Sequence, residues 1–309
     1  MRVVVTGSTG LIGRALLPAL EAAGHETTAL VRRSPGAGEA RWDPSAGRID
    51  AGALDGAGAV VHLAGAGIGD QRWTPARREV ILRSRVDTTR LLSDTLAGLG
   101  RPPAVLVSAS AVGYYGDRGA EELTEASGPG TGFQAEVCRA WEEATAGAEA
   151  AGVRVVHLRS AVVLDPDGGA LRRQLPLFRF GLGGRLGSGA QWFSWISRRD
   201  EVGAILHALA ETALAGPVNA SAPGPVTNRE YTRLLARALH RPAALAVPPA
   251  ALRLALGRQL TDELLLGSLR VLPKKLLDTG FRFEDPALAE ALVAVVGKGS
   301  AGARSQPFH

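Results

Sequence analysis

Residues Arg2 to Gly13 read RVVVTGSTGLIG, and this stretch constrains the chain more than any other. Val3, Val4 and Val5 are consecutive and β-branched, which marks a short strand buried on both faces. Gly7, Gly10 and Gly13 follow at intervals of three, and LLPALEAAG continues with helical spacing. Strand, glycine turn and helix start in this order make a phosphate cradle. Gly7 permits the sharp turn, Gly10 lets backbone approach a pyrophosphate, and Gly13 lets the helix sit close on the strand. Ser8, Thr9, Leu11 and Ile12 contribute the backbone of that turn and of the helix N-terminus, where unpaired N–H groups and the dipole favour an anion. A purely structural glycine loop is the alternative; the position directly between a strand and a helix favours the cradle.

The segment HETTALVRR places a second strand at about Thr27 to Val31. Where such a strand ends, an acid meets the ribose of NAD, whereas an arginine accommodates the 2′-phosphate of NADP. Arg32 and Arg33 stand there and no acid precedes Glu39, so NADP is the expected cofactor; two solvated surface arginines are the alternative. A third short strand is expected at Ala40 to Trp42, with a turn at Asp43-Pro44. GAVVHLAGAG, Gly58 to Gly67, is a buried strand running into Leu63, Ala64 and Gly65, small enough on balance for backbone to lie against a cofactor. Thr74 caps and Pro75 begins a long helix with Leu82, Val86, Leu92, Leu96 and Leu99 on one stripe. Pro103 to Gly116 is a strand that ends in hydroxyls, Ser108 and Ser110, and in Tyr114 and Tyr115. Phe133 to Ala151 reads as helix and Val153 to Leu164 as a further strand. Strands alternating with helices in this way predict an α/β fold, a doubly wound parallel Rossmann sheet over residues 1–165, with cofactor and substrate over its C-terminal edge.

Residues 166–296 are less regular and read as a lid, a substrate region and a smaller mixed α/β C-terminal module, with room for strands of the main sheet to return. Phe178, Phe180, Trp192, Phe193 and Trp195 lie in a glycine-rich stretch that suits either a binding lid or a small second core. Asp200 is read as the cap of a helix reaching about Ala215, and Thr227 with Glu230 as a capping box. Pro248 to Ala294 reads as helices with one extended piece at Phe281 to Phe283, and residues 297–309 as a frayed tail.

Composition narrows the function. With 309 residues, 46% of them hydrophobic, the chain has enough apolar surface for a large core. The net charge of +5 is dispersed without blocks of like sign, and nearly all cations are arginine, so nucleic acid is not the expected main partner. One cysteine excludes a disulfide framework and a thiolate metal cage, and the six histidines show no metal-ligand spacing, so no metal is expected. His62 reads as a satisfied buried histidine. No long apolar run occurs and the N-terminus enters a strand at once, which predicts a cytoplasmic protein without membrane span or signal peptide. The expected partner is a small-molecule substrate; the oligomeric state is open.

The motif TGSTGLIG resembles the extended short-chain dehydrogenase/reductases, sugar-nucleotide epimerases, dehydratases and reductases with a Gly-x-x-Gly-x-x-Gly turn. The resemblance implies a Tyr-x-x-x-Lys pair with an upstream serine, the lysine lowering the tyrosine pKa for proton exchange during hydride transfer. No Tyr-x-x-x-Lys exists in this sequence. In GFQAEVCRAWEEA, Gln134 stands at the tyrosine position and Cys138 at the lysine position. SASAVGYYG, RWTPARREVILRSRVDTT, FGLGGRLGSGAQWFSWI and PKKLLDTGFRFEDPAL resemble a narrower group, the atypical "epimerase family" reductases, over residues 1–295. In that group a cysteine often replaces the lysine, and an arginine, here Arg85, replaces a structural asparagine. Ser197-Arg198-Arg199-Asp200 departs from the histidine-containing stretch usual in the group, so no histidine is assigned a catalytic role there.

The resemblance aligns Ser110 with the upstream serine, where it either orients a carbonyl oxygen or closes the strand end. Tyr114 and Tyr115 are the nearest proton donors, although a tyrosine without a helping cation titrates at about 10 and is a weak acid. Arg85 either faces the cofactor or pairs with Glu79 or Asp87. Cys138 shares a helix face with Gln134 and is either packed or reactive. These residues favour an NADP(H)-dependent oxidoreductase acting on a carbonyl or sugar-like compound. A non-catalytic NADP(H)-binding sensor is the alternative, and an NAD-dependent sugar-nucleotide epimerase is a third reading that Arg32 opposes.

Overall fold

The computed structural model describes the backbone of residues 1–301 and the side chains of residues 1–297. The first half runs β1 (Arg2–Thr6), α1 (Gly13–Ala22), β2 (Glu26–Val31), β3 (Glu39–Asp43), β4 (Arg48–Ile49), α2 (Ala51–Leu54), β5 (Ala59–His62), α3 (Pro75–Ala97), β6 (Val105–Ala111), β7 (Glu122–Leu123), α4 (Phe133–Glu143), α5 (Ala146–Ala150), β8 (Arg154–Ser160) and β9 (Val162–Leu164). The second half runs α6 (Gly169–Arg179), β10 (Gly184–Leu186), β11 (Trp192–Phe193), β12 (Trp195–Ser197), α7 (Arg198–Ala210), β13 (Gly216–Ala220), β14 (Val226–Thr227), α8 (Asn228–Ala238), β15 (Leu245–Val247), α9 (Pro249–Leu256), α10 (Arg258–Leu260), β16 (Arg270–Val271), α11 (Lys274–Asp278) and α12 (Leu288–Ala301).

One eight-stranded sheet, ordered β13-β8-β6-β5-β1-β2-β3-β4, organises the chain. All pairs are parallel except the β3–β4 hairpin. Strand alternation splits β1: Val3 and Val5 pack with Leu16 and Leu20 of α1 and with α7, whereas Val4 packs with Leu92 and Leu96 of α3. Helices cover both faces, which is why these strands read as continuous apolar runs. The doubly wound parallel sheet is the predicted one, and β13 returns to it from beyond residue 165 to lie beside β8.

Several local expectations are corrected. The strand read from Val153 to Leu164 breaks at Ala161, whose N–H bonds Ala220 O; the chain then leaves the sheet and β9 pairs with β12. The core-facing stripe of α3 is Ile81, Thr89, Leu92, Ser93 and Leu96, while Leu82, Val86 and Leu99 are half-buried. Polar side chains take core positions there because each has a partner: Thr89 accepts from Trp141 Nε1 (2.9 Å) and Ser93 from Ala148 N (2.8 Å). The cap of α7 is Ser197, whose hydroxyl accepts from Asp200 N (3.1 Å), so Asp200 lies inside the helix rather than before it. Residues 281–283 form no strand; Phe281 and Phe283 pack on the main core, and the short strand is β16, paired with β7. The backbone of α12 runs on to Ala301, and the rest of the expected tail lies outside the described residues.

The glycine-rich stretch after Leu164 holds a full helix, α6, and builds a second core: Phe178 and Trp195 are buried with Leu171, Tyr231, Leu235 and Leu292, and Phe193 packs on them. Phe180 is left 82% exposed. Thr227 caps α8 as its capping-box spacing predicts, accepting from Glu230 N (3.3 Å). Among the described residues no helix is long and apolar enough to cross a membrane.

Candidate cofactor and substrate site

The site begins where β1 hands the chain to α1. Gly7 has φ +69°, and a Cβ on it would lie 2.8 Å from the carbonyl carbon and oxygen of Leu63. A Cβ on Gly13 would fall 2.3 Å from Gly7 O and 2.7 Å from Ser8 Cα. One glycine therefore presses the turn onto the end of β5, and the other presses α1 onto the turn. Gly10 differs: a Cβ there meets only Gly7 O, at 3.1 Å, and Gly10 and Thr9 are exposed. No side chain caps the α1 N-terminus. A tight turn with an open outer face, running into an uncapped helix start, fits the pyrophosphate of a dinucleotide. Leu11 reaches the start of α6, where a Cβ on Gly168 would lie 2.5 Å from its Cδ1, so the second core abuts the cradle.

The two arginines at the end of β2 have different surroundings. Arg33 also donates to Ser34 O (2.9 Å) and forks the Glu39 carboxylate, and this fork holds the Glu39 pKa below the ordinary carboxylate value. Arg32 is exposed and engages no protein acceptor among the described residues. Leu63 N is fixed by Thr6 Oγ1 (3.1 Å), and Thr6 also bonds His62 Nδ1 (2.7 Å), whose Nε2 lies 3.0 Å from Thr89 Oγ1. Both imidazole nitrogens are satisfied, and burial lowers the His62 pKa to about 4, so the ring is neutral. Ser108, in register with His62 one strand over, has a buried hydroxyl without a partner among the described residues.

At the C-terminal ends of β6 and β8 the polar groups engage one another. Ser110 donates to Glu142 Oε1 (2.7 Å), and Arg159 grips the same carboxylate through Nε (2.8 Å) and Nη2 (2.7 Å). Arg159 Nη1 donates to the Tyr115 hydroxyl (3.0 Å), which donates to Asn219 Oδ1 (2.7 Å). Burial works against the Arg159 charge, but the Glu142 carboxylate outweighs it and the pKa stays above the ordinary value. Burial raises the Tyr115 pKa, with Arg159 opposing. Tyr114 differs from its neighbour. It is half-buried, its hydroxyl makes no hydrogen bond within the described protein, and the Arg159 guanidinium lies 3.4 Å from its ring centroid.

Gln134 and Cys138 sit on α4 facing this corner. A Cβ on Gly113 would lie 2.9 Å from Gln134 Oε1, so the amide rests on the backbone just before the tyrosines. Cys138 is buried and its thiol is pushed up to about 12, by burial first and then by Glu142; it stays protonated. Arg85 reaches the same corner from α3. Its guanidinium carbon lies 3.4 Å from the Cβ position of Gly65 and 5.0 Å from the Trp141 ring, and Nη1 donates to Ile81 O (3.1 Å). Neither Glu79, which pairs with Arg83, nor Asp87 serves it, so its charge has no acidic partner among the described residues. Burial lowers its pKa, and the proximity of Cys138 opposes the shift.

Two carboxylates at the site are absent from the sequence reading. Glu263 accepts from Gln134 N (3.0 Å) at the start of α4, where Gly132 at φ +100° leaves it room; Gln259 Nε2 donates to its other oxygen (2.9 Å). It lies on a π-helical turn, Thr261–Leu265, a geometry enriched at functional sites. Glu201 is fully buried, accepts from Ser160 Oγ (2.5 Å), and its Oε2 has no partner among the described residues. Burial raises its pKa to about 7. The string TDELLL reads as plain helix, and no local signal shows that Glu263 closes on a helix far upstream. For Glu201 the signal was an acid set among the apolar positions of α7.

The pattern of the NAD dependent epimerase/dehydratase family matches residues 3–220, and a domain of unknown function (DUF1731) matches residues 247–295. Epimerase family protein Mb2239 of Mycobacterium bovis is 46% identical over 94% of this chain and 96% of its own length. The crystal structure of human epimerase family protein SDR39U1 (isoform 2) with NADPH has a TM-score of 0.87 and 35% identity, covering 96% of this chain and 99% of that one. A nucleoside-diphosphate sugar epimerase from Corynebacterium glutamicum has a TM-score of 0.79 and 37% identity, covering 96% of this chain and 58% of that one.

Proposed function

The chain belongs to the NAD dependent epimerase/dehydratase family, and from that premise we propose that it is an NADP(H)-dependent oxidoreductase acting on a carbonyl or sugar-like substrate. The observation that carries this reading is the open cradle from Gly7 to Gly13, joined to an unengaged Arg32 at the end of β2. The presence of NADPH in the human relative's structure supports it. In this reading the turn and the α1 N-terminus hold the pyrophosphate and Arg32 holds the 2′-phosphate. Leu63, Ala64 and Gly65 line the cofactor, and Arg85 supplies the cation that the family's lysine provides elsewhere. When bound, the nicotinamide gives or takes a hydride. Tyr114 is the proton donor, since its hydroxyl is unengaged among the described residues and its ring is held under the Arg159 guanidinium at this corner. Ser110, Tyr115 and Cys138 position the corner rather than react. A small-molecule substrate and a cytoplasmic setting go with this reading.

Titration with NADPH and NADH tests the cofactor assignment. Arg32→Ala loses about 1.5–3 kcal/mol of NADPH affinity with NADH little changed, as for a charged hydrogen bond; equal losses for both refute the role of Arg32. A broad carbonyl and sugar panel with no NADPH oxidation, despite tight binding, overturns the oxidoreductase. One observation favours a second reading, a non-catalytic NADP(H)-binding sensor: the thiol of Cys138 is neutral, and the hydroxyls of Ser110 and Tyr115 are engaged inside the protein. A macromolecular partner whose binding does not respond to NADP(H) rules the sensor out.

A further inference from the structure

Helix α8 carries Arg229, Arg233 and Arg237 at i, i+4 and i+8, on one face. With Arg185 of β10 and Arg241 beyond the helix, they line a concave cleft of about 640 Å³ floored by Thr232, Ala236 and Ala243. Among the described residues no carboxylate lines it. Elsewhere on the surface, several arginines pair with acids, Arg101 with Asp55, Arg118 with Glu121, Arg199 with Glu284, Arg253 with Asp262 and Arg270 with Glu122, and others, such as Arg32, stand without one among the described residues; in the cleft five arginines share one lining. In the cleft the one acid partner among the described residues is Glu230, 3.7 Å from Arg233 and on the same helix. Arg229 donates to Ser188 O (3.0 Å) and Arg241 to Arg179 O (2.9 Å), and Arg185 Nε is buried without a partner among the described residues.

These side chains are held in place. A Cβ on Gly189 would lie 3.0 Å from Arg229 Cβ and 3.1 Å from Arg185 Cδ, so both stems pack under that turn. The opposite face of α8, with Tyr231 and Leu235, is buried in the second core. Like charges gathered in one cleft repel at short range, and a bound anion relieves the repulsion. Guanidinium forks match phosphate oxygens, the floor is small enough to let a ligand approach, and the volume lies in the range of small-molecule sites. None of the lining residues belongs to the dinucleotide cradle. We propose that this cleft binds a small ligand carrying two or more phosphate groups, at a site separate from the cofactor.

Calorimetric titration of the full chain with inorganic tripolyphosphate, with and without NADPH, tests it. The expected result is one site per chain, of equal affinity in both titrations and weakened by added salt. Arg233→Gln/Arg237→Gln weakens it about tenfold or more, as expected for two lost charge-assisted contacts, while Arg199→Gln, outside the cleft, leaves it unchanged. Arg241→Gln, which lies off the helix, weakens it severalfold and decides the question if the double variant does not fold. No binding, several equivalent weak sites, competition from NADPH, or binding unchanged in the cleft variants overturns the proposal. So does a single-stranded oligonucleotide that binds at this cleft more tightly than tripolyphosphate.

Discussion

The cradle and the corner at the ends of β6 and β8 lie along one edge of one sheet, yet they are built on opposite principles. The cradle is made of backbone. Gly7 and Gly13 bring main chain against main chain, and the outward face of Gly10 and the start of α1 are engaged by no side chain. The corner is made of side chains, with Ser110, Glu142, Arg159, Tyr115 and Asn219 satisfying one another in a closed chain of hydrogen bonds. A region whose polar groups point outward is arranged to receive something. One whose polar groups are internally paired is arranged to stay put. Tyr114 and Arg85 are the exceptions within the corner: among the described residues the Tyr114 hydroxyl has no hydrogen-bond partner, and the Arg85 guanidinium lies against Gly65 with no acid paired to it.

The sharpest way to break this contrast is Glu142→Ala. It strands the Arg159 charge in the interior and is expected to cost about 3–5 kcal/mol of stability, read by urea denaturation, with the NADPH affinity of the folded protein kept. If affinity falls in step with stability, the corner and the cradle are one unit.

Next in size are two buried groups whose pH dependences oppose each other. Glu201 is protonated in the folded chain up to about pH 7 but ionises near 4.5 when unfolded. Its contribution is therefore present in full below the unfolded value and drains away as pH rises to about 7, by up to about 3 kcal/mol. His62 is neutral in the folded chain down to about pH 4 but takes a proton at 6.5 when unfolded. Stability consequently falls as pH drops from 6.5 towards 4, by a similar amount of about 3 kcal/mol. In Glu201→Gln the His62 slope is left alone: stability climbs from pH 4 to 6.5 and then stays level. A decline persisting between pH 5 and 7 in that variant contradicts the assignment.

Gly13→Ala is expected to cost about 1–3 kcal/mol, since its Cβ collides with backbone that cannot swing away, and to weaken NADPH by displacing the turn. Intact NADPH affinity would mean that the cofactor does not rest on this turn. The smallest effect expected is from Tyr115→Phe, about 1–2 kcal/mol for leaving Asn219 and Arg159 each one bond short. Turnover, once a substrate is found, should survive Tyr115→Phe and be lost in Tyr114→Phe; the reverse order exchanges the roles of the two tyrosines.

The cradle was legible because everything that makes it is local. A β-branched run, three glycines and a helical period sit within a dozen residues, and the close approaches at Gly7 and Gly13 are those the spacing implies. The loss of the Tyr-x-x-x-Lys pair was legible for the same reason. The division between Arg32 and Arg33 was not, because it depends on where β3 delivers Glu39. The end of β8 at Ala161 was hidden too, since only the presence of β13 and β12 decides which neighbour each residue bonds. Helix α6 was masked by the glycines and prolines around it.

The sequence by itself determined the fold class, the tight glycine turn between β1 and α1 and the absence of the family's usual catalytic pair, because periodicity and short-range sterics are written along the chain. Only the tertiary structure decided what each polar side chain is engaged with. Ser110, Tyr115 and Cys138 were candidates by type and position, and the fold sets Ser110 on Glu142, Tyr115 between Arg159 and Asn219, and the buried Cys138 thiol near Glu142. The partners come from three separate elements, α4, β8 and β13, and the pKa of a buried group is set by neighbours that are distant in sequence. The same holds for the five arginines around α8: three follow a helical repeat, but only the packing of β10 and of the chain after the helix shows that they share one cleft.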